Sequence, residues 1–218
     1  MKKIKISLIL NLLIVLFVSI GTVLMFLGIK FMPDKTLLQT SKMGMFKFYT
    51  VDSNILIGII SLILSIKEIK LLKNKIEEIP KSVYVLKLVG TSSIAITFLV
   101  TLLFLAPQYG FYEMYNNSNL FFHLIVPVLA LISFILFEKF ESKYKYTLYG
   151  LIPMVLYSLY YCATIFYHFN GKESLLKYDF YGFLHGNINN VYISLPLMFI
   201  IGYVVNILIL FLNKKFAK

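Results

Sequence analysis

Six stretches of the chain run almost without Lys, Asp or Glu: residues 7–29, 48–66, 88–106, 120–137, 148–168 and 190–212. Each approaches the roughly 20 apolar residues that an α-helix needs to cross about 30 Å of hydrocarbon. None shows the alternation of a membrane β-barrel strand, and a spanning segment must satisfy its own backbone hydrogen bonds. The pattern predicts an all-α, polytopic membrane protein with six transmembrane helices. The longest gap between windows is about 20 residues, too short for a soluble domain, so 1–218 reads as a single six-helix domain.

Composition excludes a soluble fold: 59% of the 218 residues are hydrophobic, 14% are charged, and the mean hydropathy is +0.82. All 21 basic residues are Lys, and 15 of them fall in the amino-terminal tail, in 67–87, in 138–147 and in the carboxy-terminal tail. The other side holds six: Lys30, Lys35, Lys42, Lys47, Lys172 and Lys177. The positive-inside rule then puts both termini in the cytoplasm, as six spans require. The net charge of +11 is thus a topology signal and a contact with the cytoplasmic leaflet, and makes no case for nucleic acid. The apolar run after Met1-Lys2-Lys3-Ile4-Lys5 is too long for a signal peptide and lacks a small-residue cleavage site, so it reads as a retained anchor. Between Lys67 and Lys87, apolar residues interleave with charges, which fits either an amphipathic helix on the bilayer or an extension of the second span.

Polar groups inside the apolar windows carry the candidate chemistry. The second window opens on Phe46-Lys47-Phe48-Tyr49-Thr50-Val51-Asp52-Ser53-Asn54. An ionisable residue costs about 2.5 to 3.5 kcal/mol at a span centre and less toward its end, so its presence asks for a functional reason. Thr50, Ser53 and Asn54 share a helix face, while Asp52 lies about 200° round from Thr50. With the helix starting near Phe46, Asp52 falls about 9 Å along the axis. The partner expected for it is His185 or a loop tyrosine, through which it would organise a lid. His123 enters the fourth window from the same side as Thr50, which allows the two to meet if their helices are neighbours.

In the third window, Ser93, Thr97 and Thr101 read as a close-packing stripe. In the fifth, Tyr157 and Tyr160 lie too deep for an interfacial belt, and with Thr164 they are expected to line the same cavity as Thr50. The aromatic run Tyr178 to Asn187, broken by Gly182 and Gly186, is placed over the outer mouth. Cys162 is single, so no intramolecular disulfide forms, and His123, His168 and His185 lack metal-site spacing. No phosphate-binding glycine loop is present, and no metal or cofactor is expected. Asn116-Asn117-Ser118 fits a glycosylation sequon.

Phe48-Tyr49-Thr50-Val51-Asp52-Ser53-Asn54, His123-Leu124-Ile125-Val126-Pro127, Ile152-Pro153-Met154-Val155-Leu156-Tyr157 and Tyr181-Gly182-Phe183-Leu184-His185-Gly186-Asn187 together resemble, in order and over most of the chain, a bacterial member of a known family. It is the androgen-induced / androgen-dependent TFPI-regulating protein family of six-span membrane proteins. Its animal members are atypical threonine hydrolases that cleave fatty acid esters of hydroxy fatty acids, and their essential Thr and His fall on Thr50 and His123. Asp52 is a departure, since bacterial relatives usually carry Gln or Asn there. The resemblance implies a multi-pass protein of the bacterial plasma membrane that hydrolyses a fatty-acyl ester from the outer-leaflet side.

The chemistry agrees with that expectation. A threonine hydroxyl is a weak nucleophile until a base takes its proton, and histidine titrates near working pH. Asn54, Tyr157 or Tyr160 would donate to the oxyanion, with Asp52, Ser53, His185 and Asn187 as the supporting set. The alternatives are an intramembrane acyltransferase and a non-catalytic transporter or lipid-binding protein. A transporter calls for a polar track through both leaflets. The deeper halves of the second and fourth windows hold almost no polar residue beyond Ser61 and Ser133.

Overall fold

The computed structural model describes residues 1–33, 42–141 and 143–217, and among them every regular element is helical. The long helices are α1 (Lys2–Leu27), α2 (Tyr49–Leu72), α3 (Lys81–Tyr109), α4 (Asn117–Phe137) and α5 (Tyr144–His168). A short α6 (Lys172–Tyr178) and a final long α7 (Ile188–Phe216) complete the set. Five of these, α1, α3, α4, α5 and α7, are long and apolar enough to cross a membrane, so the chain reads as a multi-pass integral membrane protein. Helix α2 stands outside that set, with Asp52, Ser53 and Asn54 in its first turns and Lys67, Glu68 and Lys70 near its end. Lys35 and Lys218, both used in weighing topology, lie outside the described residues.

Helix α3 is the hub. In its apolar window 61% of residues are buried, against 22 to 39% in the other four, and it touches α2, α4, α5 and α7. Helix α1 packs on α2 and α4. Small residues set the spacing: a Cβ on Gly58 of α2 would stand 2.9 Å from Val18, and one on Gly90 of α3 would stand 2.8 Å from Ile57. The serine and threonine stripe of α3 adds hydrogen bonds to this close approach, with Ser93 Oγ 2.8 Å from Tyr49 Oη and Thr97 Oγ1 2.8 Å from Ser53 Oγ.

Two spans widen into a π-turn just ahead of a proline. In α3 the turn is Thr101–Leu105 before Pro107, and in α4 it is Phe121–Ile125 before Pro127. A proline donates no N–H and crowds the carbonyl four residues back, and a π-turn relieves the crowding locally. In α4 that carbonyl belongs to His123, so the widened turn lies at the candidate base itself.

The start of α1 and the end of α7 lie at one end of the bundle, where a charged network is buried. Lys87 Nζ donates to Asn11 Oδ1 at 2.6 Å and Ser61 Oγ at 2.8 Å, and lies 3.7 Å from Glu138 Oε1. That carboxylate oxygen also accepts from Asn11 Nδ2 at 3.1 Å and from Ser133 Oγ. Glu68 lies beside Ser7 and Asn11 at the same buried end. Lys87 is 0%, Glu138 1% and Glu68 2% exposed. Lys87, a loop lysine by the sequence pattern, is instead a core residue of α3. Of the two options for 67–87, the extension of the second helix is the one found. It runs to Leu72, and no separate surface helix forms between it and α3.

Candidate functional site

At the other end, the head of α2 meets the π-turn of α4 and the turn after α6. Phe48 caps α2 and Tyr49 is its first residue, so Thr50 lies in the first turn. Asn54, fully buried, fastens this turn to α4: its Nδ2 donates to Thr50 O at 2.7 Å and to Phe122 O at 3.1 Å. Ser53 Oγ donates to Thr50 O at 3.1 Å. Ser53 and Asn54 therefore hold the threonine's backbone from beneath, and neither hydroxyl nor amide of that pair lines the cavities on which Thr50 opens.

Thr50 and His123 line one cavity of about 40 Å³, together with Asn119, Met114 and Tyr181. His123 is 5% exposed, and its Nδ1 is 2.6 Å from the Met114 carbonyl oxygen. A carbonyl only accepts, so Nδ1 carries the proton and the neutral ring keeps its lone pair on Nε2. The group that fixes the tautomer is thus a backbone carbonyl. The triad in which an Asp52 carboxylate would do so is not formed.

Thr50 also borders a second cavity of about 80 Å³, almost wholly apolar, between α2, α3, α5, α7 and the turn after α6. Thr50, Leu105 and Tyr181 are common to both cavities. The phenol of Tyr181 accepts from Tyr49 N at 2.9 Å. Burial pushes it up to about 12, and hydrogen bonding with Tyr157 and with Thr50 acts in the opposite direction. Tyr157 Oη donates to Lys47 O at 2.6 Å. The turn that carries Tyr181 is tied by Asp179, whose carboxylate accepts from Tyr161 Oη, Phe183 N at 3.0 Å and Leu184 N at 2.8 Å.

Other expected site residues lie elsewhere. Asp52 is exposed in the first turn of α2 rather than about 9 Å along it, because the α-helix starts at Tyr49, and its carboxylate has no hydrogen-bond or ion-pair partner among the described residues. A helix N-terminus favours a carboxylate at that position. Tyr160 lines an outward groove with Asp52, separate from the Thr50 cavities. Thr164 Oγ1 turns back to Tyr160 O at 2.9 Å. Tyr157 lines the cavity, and beyond it the face of α5 continues with Tyr161 and Ile165, each one residue past the expected Tyr160 and Thr164.

His185 is exposed beside the Phe104 ring, and Asn187 caps the 3₁₀ turn Ile188–Asn190 through Asn189 N. Neither reaches Asp52 or His123 in any hydrogen bond among the described residues. The three histidines are apart, and no group of three His, Cys, Asp or Glu gathers among the described residues. The sequon asparagine Asn116 is fully buried, so the folded chain does not present it to a glycosyltransferase.

Tyr161, Asp179 and the Met114 carbonyl stand outside the set that the sequence pattern points to. Tyr161 is one helical turn beyond Tyr157 and Asp179 is the one acid in the aromatic run, so both left a trace in the sequence. A carbonyl ligand leaves none. Compared with known proteins, the chain matches no family model, no curated protein and no solved structure.

Proposed function

We propose that the protein is an intramembrane lipid esterase in which Thr50 is the nucleophile and His123 the base, related to the androgen-induced / androgen-dependent TFPI-regulating family. The observation that carries this reading is that Thr50 borders a small cavity it shares with His123 and an apolar cavity suited to an acyl chain. His123 Nε2 takes the hydroxyl proton and Thr50 Oγ1 attacks the ester carbonyl. The alcohol leaves with the proton returned by His123. A water deprotonated by the same ring then cleaves the acyl-threonine, releasing the fatty acid and restoring the hydroxyl. Tyr181 supplies an O–H beside Thr50 for the developing oxyanion.

The apolar cavity holds only a short stretch of acyl chain, so a long chain continues along the lipid-exposed sides of α5 and α7, where Leu156, Leu159, Leu197 and Ile200 are exposed. In the proposed arrangement α2 is a sixth span, both termini are cytoplasmic, and the site opens toward the outer leaflet of a bacterial plasma membrane. The substrate is a fatty-acyl ester drawn from membrane lipid. The purified protein is expected to hydrolyse fatty acid esters of hydroxy fatty acids, and Thr50→Val to lose that activity with its fold intact. Equal activity in the two proteins overturns the assignment. Added alcohol acceptors that divert the acyl group from water would mark a transferase.

A second reading, a non-catalytic transporter, has one observation in its favour. The buried Lys87, Glu138 and Glu68 network puts polar groups in the half of the bundle that the second and fourth windows left apolar. Substrate-dependent ion flux in proteoliposomes, unaffected by Thr50→Val, favours that reading over the esterase.

A further inference from the structure

The groove beside Asp52 belongs to neither Thr50 cavity, and at about 360 Å³ it is much the larger space. It lies between the head of α2 and the middle of α5, with Ser93 of α3 at its back. Its wall is aromatic: Phe46, Tyr49, Tyr157 and Tyr160 line it, and the rings of Tyr49, Tyr157 and Tyr160 follow one another at 5.1 and 5.9 Å with tilts of 59° and 56°. The hydroxyls of Tyr49 and Tyr157 are engaged by Ser93 and the Lys47 carbonyl. What these two residues offer a ligand is therefore ring surface. The remaining lining is apolar, with Leu56, Pro153 and Leu156 leading away along the exposed flank of the helices.

Among these residues sits one full charge, the Asp52 carboxylate, exposed and unpaired among the described residues. Lys47, the nearest lysine in sequence, turns its ammonium to the Phe48 and Phe180 rings at 4.9 and 5.2 Å. A carboxylate rimmed by aromatic faces is the combination that binds alkylammonium groups, through charge and through the ring quadrupole. The volume falls within the range of small-molecule sites. Asp52 lies in the first turn of a 24-residue helix, at the level where phospholipid headgroups meet the hydrocarbon if α2 spans the bilayer. An ammonium placed there has its acyl chains beside Leu56 and Leu156.

We propose that this groove is a binding site for a zwitterionic membrane phospholipid with an ammonium headgroup, the ammonium held by Asp52 and the tyrosine wall. The site does not depend on the esterase assignment: Tyr49 and Tyr157 also wall the apolar cavity, but neither Thr50 nor His123 lines the groove. A single lipid seated there covers the Asp52 carboxylate on the head of α2.

The test is native mass spectrometry of the detergent-purified protein with phosphatidylethanolamine or phosphatidylglycerol of identical acyl chains. The wild type is expected to retain the ethanolamine lipid in preference to the glycerol lipid, roughly tenfold for a contact of this kind. Asp52→Asn, which keeps the shape, is expected to abolish the preference. Tyr160→Leu, which removes one ring face at an exposed position, is expected to reduce it severalfold while Tyr160→Phe keeps it. Equal retention of the two lipids by the wild type, or a preference unchanged in Asp52→Asn, overturns the proposal. Ester hydrolysis by the same variants reports separately on the Thr50 site.

Discussion

A threonine hydroxyl shares its Cβ with a methyl group that restricts χ1, so the proposed attack by Thr50 requires that the backbone beneath it be aimed correctly. That aim comes from Asn54 and Ser53, which both bond the Thr50 carbonyl, and from Tyr181, which meets the Tyr49 amide. Thr50→Val removes the hydroxyl alone and is expected to lower ester hydrolysis roughly 10³-fold, with stability changed by only about 0.5 kcal/mol. Thr50→Ser is expected to keep part of the activity. Tyr181 gives the pH counterpart. Its folded value of about 12 stands above the ordinary 10.0, so its contribution to stability is full below pH 10 and is lost as the pH rises from there toward 12. Thermal melts of Tyr181→Phe should show a shallower alkaline decline than the wild type between those limits.

Two elements decide whether these residues meet. The π-turn of α4 lets the helix pass Pro127 while the His123 ring stays against the Met114 carbonyl. The turn after α6 is closed by Asp179, with both carboxylate oxygens engaged and the side chain 7% exposed. Asp179→Ala leaves three donors without an acceptor and is expected to cost about 1–3 kcal/mol. Faster hydrogen exchange at the Phe183 and Leu184 amides, with α1 and α3 unchanged, is the signature that checks it. The helices themselves were legible because length and hydropathy are local properties: five windows match spanning helices and the sixth matches α2. The face of α5 was less so. Tyr160 and Tyr161 are adjacent in sequence, and only packing against α2 and the Asp179 turn selects the second for the cavity.

Across the whole molecule the least legible feature is the buried charge at the end holding the termini. Lys87 looked like the last lysine of a polar linker, because its partners Asn11, Ser61 and Glu138 come from three other parts of the chain. No periodicity links them. A buried pair contributes little net stability when intact, but breaking it strands a charge. Lys87→Met is therefore expected to destabilise the protein by about 3–5 kcal/mol, and the double variant Lys87→Met/Glu138→Gln to recover part of that loss in detergent melts. This network joins α1, α2, α3 and α4 at one end, while the Thr50 site joins α2, α4, α5 and the α6 turn at the other. The bundle is thus pinned at both ends around α3, and the half nearer the lysine-rich tails supplies rigidity to the half proposed for chemistry.

The central claim, that Thr50 acts as a nucleophile activated by His123, is tested most directly by fluorophosphonate labelling of the detergent-solubilised protein, with the modified residue located by mass spectrometry. The predicted result is a single adduct on Thr50 that is absent in Thr50→Val and in His123→Ala and retained in Asp52→Asn. Labelling that persists in Thr50→Val, or a wild type that takes up no probe while it remains folded, contradicts the account.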